Sequence, residues 1–290
     1  MKWFITGGSG QLGLAIQKSL VLRGIDFVAA SSSELDITKP LEVTRWVDYI
    51  KPSIIINAAA YTDVDRAEID RVAAWKVNVD GARNLALAAK ADGAVFAQIS
   101  TDYVFSGTSD EPYQENDLTA PFNYYGVTKA ASEQCVTDSY SENSYIFRTA
   151  WLYSSFRKNF AKTIARKAIR GEKVSVVNDQ IGQPTFVDDV AERVINSVVK
   201  EIPFGFYHAT NSGAVSWFDF AREIYLSVGT KIEFVEPASS NNYSSLARRP
   251  RYSVLSHNRW TIVGMDEMRN WKSALNEAIP SIISAVENEE

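Results

Sequence analysis

Tyr125 and Lys129 stand four residues apart, at the start of a stretch with a helical pattern. That spacing puts both side chains on one face of a helix. A free phenol has a pKa of about 10 and exchanges its proton reluctantly near neutrality. A nearby ammonium favours the phenolate, so such a pair suits general acid–base work on a carbonyl. In the reducing direction Tyr125 would give its proton to the oxygen while hydride reaches the carbon. Thr101, in Ser100-Thr101-Asp102, closes an apolar run, and its hydroxyl there can hydrogen-bond the same oxygen. Taken singly, these are an ordinary helix pair, a strand-end cap and a turn former.

A reductase also needs a hydride source, and the N-terminus supplies a place for one. Gly7, Gly10 and Gly13 follow the first apolar run, and Gln11 and Leu12 open the helical pattern behind it. A pyrophosphate needs close backbone approach, free N–H groups and the positive end of a helix, which this spacing permits. The second apolar run ends at Ser31-Ser32-Ser33, where an NAD site usually carries an acid. The serines leave room for a 2′-phosphate without an arginine to hold it, and Glu34 is within reach of a ribose. NADPH is favoured, and NADH use stays open. Asn57-Ala58-Ala59-Ala60 ends the third run with small side chains that would let a dinucleotide lie against the sheet edge. Asn78 falls inside a helical stretch, where asparagine is unfavourable without a specific partner, and reads as an inter-element hydrogen bond.

The elements that position these residues alternate. Residues 2–6, 26–30, 53–56, 94–100 and 145–148 read as strands, mostly apolar on both faces. Leu12, Ile16 and Leu20 mark the first helix, Leu41, Val47 and Ile50 the second, and helices also fill 70–90 and 128–139. Strands without polar alternation, separated by helices, predict a parallel sheet covered on both sides. The fold class is therefore α/β, a Rossmann-type doubly wound sheet with ligands beyond the carboxyl ends of its strands. After about Thr149 the rhythm loosens: helices are expected over 160–170 and 187–200, a strand over 173–177, and a helix capped by Ser216. A last helix runs from Trp271 to about Ser284. We divide the chain into a dinucleotide-binding domain, 1–150, and a smaller substrate-binding lobe, 151–290, interleaved with elements returning to the main sheet.

Composition excludes several classes. The net charge of -5 over 290 residues carries no long like-charge blocks, so a nucleic-acid or anionic-membrane partner has no electrostatic footprint. A single cysteine, Cys135, excludes an intrachain disulfide framework and reads as a small buried filler. His208 and His257 are too few for a ligand cluster, so no metal is expected, and His208 reads as a strand-end hydrogen-bonding residue. The seven tryptophans read as core or pocket walls. Without a leader pattern or a span-length apolar stretch, a cytoplasmic protein is expected.

Longer strings go further. Gly10-Gln-Leu-Gly13, Asn57-Ala-Ala-Ala-Tyr-Thr62, Val64-Asp-Arg-Ala-Glu68 and Ser100-Thr-Asp-Tyr-Val-Phe105 are followed by Tyr125-Gly-Val-Thr-Lys129 and Arg148-Thr-Ala-Trp151. Asn178-Asp-Gln-Ile-Gly-Gln-Pro-Thr185 and Arg248-Arg-Pro250 complete a set spanning nearly the whole chain. Together they resemble the dTDP-4-dehydrorhamnose reductase family, within the extended short-chain dehydrogenase/reductases. The resemblance implies NAD(P)H-dependent reduction of the 4-ketone of a dTDP-linked 6-deoxyhexose, with Thr101, Tyr125 and Lys129 catalytic. It implies Asp36 and Ile37 near the adenine, and Asp102 and Tyr103 close to the sugar. Trp151, Asn159 and the 180–185 loop with Gln180 and Gln183 would contact the nucleotide sugar, and Arg249 its diphosphate. Ser106 and Ser132 depart from the family's pattern without removing a reacting group. Ala15 stands where metal-bridged dimeric members carry an acid, so a magnesium-bridged dimer is not implied, and a monomer or another homodimer is open.

Two other readings remain. A dehydratase or epimerase on the same scaffold would want a further acid beside Asp102, or a serine-rich strand end, where this chain has Tyr103 and Thr101. A non-catalytic subunit, similar to the regulatory partner of methionine adenosyltransferase, would bind without turnover. Net NADPH consumption separates reduction from both.

Overall fold

The computed structural model describes residues 2–242 and 245–289. Its first half runs β1 (Trp3–Thr6), α1 (Gln11–Leu22), β2 (Phe27–Ala30), α2 (Pro40–Ile50), β3 (Ile54–Asn57), α3 (Val64–Ala67), α4 (Arg71–Trp75), α5 (Gly81–Asp92), β4 (Val95–Thr101), α6 (Tyr124–Tyr140) and β5 (Ser144–Thr149). The second half runs β6 (Leu152–Tyr153), α7 (Phe160–Ile169), β7 (Val174–Val177), β8 (Ile181–Gly182), β9 (Thr185–Phe186), α8 (Val187–Val199), β10 (Gly205–His208), β11 (Val215–Ser216), α9 (Trp217–Val228), β12 (Val235–Ala238), α10 (Asn258–Ile262) and α11 (Trp271–Glu287).

The apolar runs form one parallel sheet in the order β2-β1-β3-β4-β5-β10. β1 and β3 are buried throughout because helices cover both faces, which is why their sequences show no polar alternation. One face packs Ile16 and Leu20 of α1 against Val190 and Val194 of α8 and against Trp260. The other packs Val43 and Val47 of α2 with Leu85 of α5 and Val136 of α6. Ala15 is buried in the first of these layers. Chain order reverses at β1, between β2 and β3, and that reversal opens a crevice at their carboxyl ends. There the Thr6 hydroxyl donates to Asn57 Oδ1 at 2.7 Å, and Asn57 Nδ2 donates to Gln98 Oε1 at 2.8 Å.

A separate apolar cluster unites α7, α9 and α11 through Ile164, Phe220, Ile224, Leu275 and Ile282. The small pairs β7/β12, β8/β11 and β6/β9 border it. β10 lies beyond this chain break in rhythm yet returns to the main sheet beside β5. Ser216 caps α9 as expected, accepting from Asp219 N at 3.0 Å. No helix among the described residues is long and apolar enough to cross a membrane.

Two local expectations, on Leu41 and Cys135, are corrected. Leu41 is exposed, and Val43 takes its place on the buried face of α2, because Pro40 starts the helix at its first turn. The helix expected over 70–90 runs from Arg71 to Asp92 behind the Asp70 cap, with residues 76–80 forming a widened π-type turn within it. That turn directs Asn78 inward, where it accepts from Tyr61 N at 2.8 Å and donates to Thr128 Oγ1 at 2.9 Å. Cys135 is only half-buried, with burial pushing its thiol pKa up.

Candidate active site

α6 begins at Tyr124, four residues earlier than its apolar pattern indicates, because Asn123 caps it by accepting from Gly126 N at 2.8 Å. The early start places Tyr125 in the first turn. Gly126 is pressed against the turn after β4: a Cβ there would lie 2.3 Å from the Tyr103 carbonyl oxygen. This close approach seats the Tyr125 turn directly against Thr101, Asp102 and Tyr103.

Burial raises the Tyr125 pKa, the Thr101 hydroxyl opposes that rise by hydrogen bonding, and the Asp102 charge adds to it. Lys129 is 2% exposed and donates from Nζ to the Ile99 carbonyl at 2.6 Å. Burial lowers its pKa to about 8, against the pull of Glu133 one turn on. Lys129 is not among the groups that shift the phenol. The ammonium is held by β4, and burial, Thr101 and Asp102 set the phenol. A phenol so held stays protonated, which is the loaded state of a general acid.

Asp102 is 3% exposed, and its Oδ1 accepts from the Thr101 hydroxyl at 2.9 Å. Burial lifts its pKa to about 6, with Ser253 and Thr101 opposing. Below these residues a buried ion pair fixes α6 to β5. Arg148 Nη2 lies 2.8 Å from Glu133 Oε2, and the Ser100 hydroxyl donates to Glu133 Oε1 at 2.5 Å. The Arg148 guanidinium is sandwiched between Phe105 and Phe206, 4.8 Å from each ring centre.

Two cavities meet here. The first, about 620 Å³, is lined by Gly7, Gly10, Gln11, Leu12, Ser32, Asp36, Ile37, Ala58, Ala59, Ala60, Thr101, Asp102, Tyr103, Tyr125, Lys129 and Trp151, among others. The second, about 990 Å³, has Phe160, Lys167, Val174–Val177, Gln180 and Arg248–Arg251 on its walls. Tyr103 and Trp217 line both.

The glycine turn has the backbone approach its sequence implied. Gly7 has φ 70, and a Cβ on it would sit 2.6 Å from the Ala58 carbonyl. Gly13 does not line the cavity; its missing Cβ would lie 2.3 Å from the Gly7 carbonyl oxygen, so it lets α1 press onto the turn. Gly10 precedes α1 without a side-chain cap, leaving first-turn N–H groups free for an anion.

The model of the RmlD substrate binding domain family matches residues 1–283. The chain belongs to that family. A dTDP-4-dehydrorhamnose reductase from Streptomyces griseus is 40% identical over 285 residues, covering 97% of this chain and 94% of the relative. A dTDP-4-keto-6-deoxy-D-glucose reductase from Streptomyces niveus is 39% identical, with 96% of each chain covered. The crystal structure of dTDP-4-dehydrorhamnose reductase from Bacillus anthracis, in complex with NADP, superposes with a TM-score of 0.93 at 39% identity. It covers 96% of this chain and 98% of its own.

In this RmlD-family chain not every residue singled out by sequence reaches the cavities. Ser31 turns away: its N–H and hydroxyl both donate to Glu34 Oε2, at 2.8 and 2.6 Å, so Glu34 closes a local turn and Ser32 lines the cavity instead. Asn159 caps α7 and donates to Gln11 Oε1 at 3.0 Å, behind the wall. Gln183 is 2% exposed and bonds Leu255 N and Thr210, a structural tie between loops. Neither lines a cavity. Arg249 does, but its guanidinium forks onto Asp65 of α3 at 2.6 and 2.7 Å. Missed by sequence were Phe160 and Lys167, and Trp217 was read only generally, as a core or pocket wall, without its place at the junction. Only the Ser216 cap hinted at Trp217, by putting it first in a helix.

Proposed function

We propose that the chain is an NADPH-dependent reductase of a dTDP-linked 4-keto-6-deoxyhexose, converting dTDP-4-dehydro-L-rhamnose to dTDP-L-rhamnose. The observation that carries this is the Tyr125–Thr101–Lys129 cluster, which lines a cavity floored by a glycine turn beside Tyr103, where that cavity adjoins a second one walled by arginines. The relatives' activities and the family membership support the same reading.

The first cavity fits a dinucleotide on its own geometry. The uncapped start of α1 would take the pyrophosphate through the N–H groups of Gln11 and Leu12, and Ala58–Ala60 would leave space along the sheet edge. Asp36 and Ile37 would flank the adenine. Lys129, with three donors and one engaged by Ile99, has two left for ribose hydroxyls. When bound, the reduced nicotinamide supplies hydride to the ketone carbon.

The chain's own residues supply the rest. Tyr125 hands its proton to the ketone oxygen, and Thr101 steadies that oxygen by hydrogen bonding. Tyr103 and Trp217 bound the passage through which the sugar reaches them. In the second cavity Arg248 and Arg251 offer cations to a diphosphate, with Lys167 beside them paired to Glu172 at 3.0 Å, while Val176 and Phe160 offer apolar surface to a base. We assign 1–150 to cofactor binding and 151–290 mainly to substrate binding. The linings support this, although Tyr103, Ser106, Gly107, Thr108 and Phe122 join the second cavity and Trp151, Leu152 and Trp217 join the first.

The intact cluster favours catalysis over a non-catalytic binding subunit. Purified protein is mixed with NADPH and dTDP-4-dehydro-L-rhamnose, and nucleotide absorbance and the sugar product are followed. Stoichiometric NADPH loss with dTDP-L-rhamnose formed is the expected result. Binding without NADPH loss would leave the subunit reading.

A further inference from the structure

We propose that Trp217 is a sugar-positioning residue, forming with Trp151 an indole wall on which the apolar face of the hexose rests. The proposal deepens the reductase reading and rests on it. A sugar carried on a nucleoside diphosphate must cross the junction between the two cavities, its ketone toward Tyr125 and its diphosphate toward Arg248 and Arg251. Tyr103 and Trp217 are the two residues shared by both linings. Tyr103 meets Tyr125 edge to face, with ring centres 5.8 Å apart, so it bounds the reacting side. Trp217 bounds the other.

The wall is rigid. The Trp151 and Trp217 rings stack with centres 3.5 Å apart and planes at 7°, the sole tryptophan pair among the described residues' ring contacts. Trp151 adopts φ 46, in the left-handed region a bulky residue rarely occupies. It is backed by Gly182, where a Cβ would lie 2.5 Å from its ring. Strained conformations of this kind persist where surrounding structure over-determines them, commonly at ligand sites. Trp217 is fixed as the first residue of α9 and is braced by Phe160, 4.4 Å away between ring centres. A pyranose presents one face of C–H groups, and a 6-deoxy sugar adds a methyl group. An aromatic slab matches that surface and costs little conformational entropy, since each indole has only two side-chain torsions.

The stacked indoles give a readout independent of turnover, an exciton couplet in circular dichroism. Wild type, Trp217→Phe and Trp217→Ala are compared. The couplet should be present in wild type, absent from both variants, and altered by dTDP-L-rhamnose but not by dTDP alone. With the keto-sugar, Trp217→Phe should raise KM by about tenfold, the size of one aromatic contact, leaving kcat within twofold and NADPH affinity unchanged. A couplet indifferent to dTDP-L-rhamnose, together with an unchanged KM in both variants, overturns the proposal. A couplet that responds to the sugar in a wild type that oxidises no NADPH would instead overturn the reductase reading and leave the wall standing.

Discussion

Lys129 donates its Nζ proton to the main-chain carbonyl of Ile99, two residues before Thr101 on β4. One hydrogen bond thus ties α6, which carries Tyr125, to the strand that ends in Thr101. It also leaves the ammonium buried, with its pKa lowered to about 8. The charge is therefore largely present at neutral pH and is lost as pH rises through that value. NADPH affinity of the free protein should weaken above about pH 8, measured by fluorescence titration, and Lys129→Met should bind weakly with no such dependence. A wild-type affinity flat across this range would contradict a ribose contact made by the ammonium.

Tyr125→Phe removes the hydroxyl to which we assign proton donation and little else, because the ring still packs against Tyr103. Turnover should fall by about two to four orders of magnitude, the range of a lost general acid, while NADPH binds as before. Undiminished turnover would assign the proton to another group.

Asp102 gives a stability prediction with a definite sign. Its folded-state pKa, about 6, lies above the usual aspartate value, so the folded protein holds the proton more tightly than the unfolded chain. The cost of burying the charge is absent at low pH, grows as pH rises from the unfolded value toward 6, and is complete above it. Asp102→Asn keeps an acceptor for Thr101 and removes the charge. It should stabilise the protein at about pH 8, by up to roughly 3 kcal/mol, and hardly at all near pH 4. Equal melting shifts at both pH values would show that the carboxylate is not the cause.

Gly13→Ala places a methyl group 2.3 Å from the Gly7 carbonyl oxygen, a backbone atom that cannot swing aside. Overpacking of this kind costs about 1–3 kcal/mol, and here the displacement falls on the turn expected to cradle pyrophosphate. Loss of NADPH binding should exceed the loss of thermal stability. Calorimetry on the folded variant checks it; tight binding would free the turn from that role.

Arg148→Met leaves Glu133 buried with an uncompensated charge, and breaking a buried pair costs about 3–5 kcal/mol. Chemical denaturation should show a loss of that size, and a second change, Glu133→Gln, should recover part of it. A loss no greater than that of an exposed ion pair would mean that Glu133 finds another partner.

The sheet was legible because burial on both faces writes itself into consecutive apolar residues, as in Ile54–Ile56. α6 was read short because its first turn is built from Tyr124, Tyr125 and Gly126, whose pattern is set by the Asn123 cap and by contact with Tyr103, not by helical periodicity. Asn159 and Gln183 were expected at the substrate and are occupied in tying loops together, a difference that depends on hydrogen bonds across 148 and 72 residues of chain. Trp217 was read only as one of seven tryptophans suited to core or pocket walls. Its place follows from where α7, α9 and the short strands meet, which only three-dimensional packing decides.

β10 comes from the second half of the chain yet completes the edge of the main sheet, with Phe206 covering the Arg148 guanidinium. An N-terminal fragment ending near residue 150 would therefore leave β5 with a naked row of backbone donors and acceptors and a cation stripped of one aromatic lid. Such an edge invites pairing with another molecule. Residue 150 is thus not a seam along which the polypeptide can be divided: a nascent chain must grow past His208 before its first half is sealed.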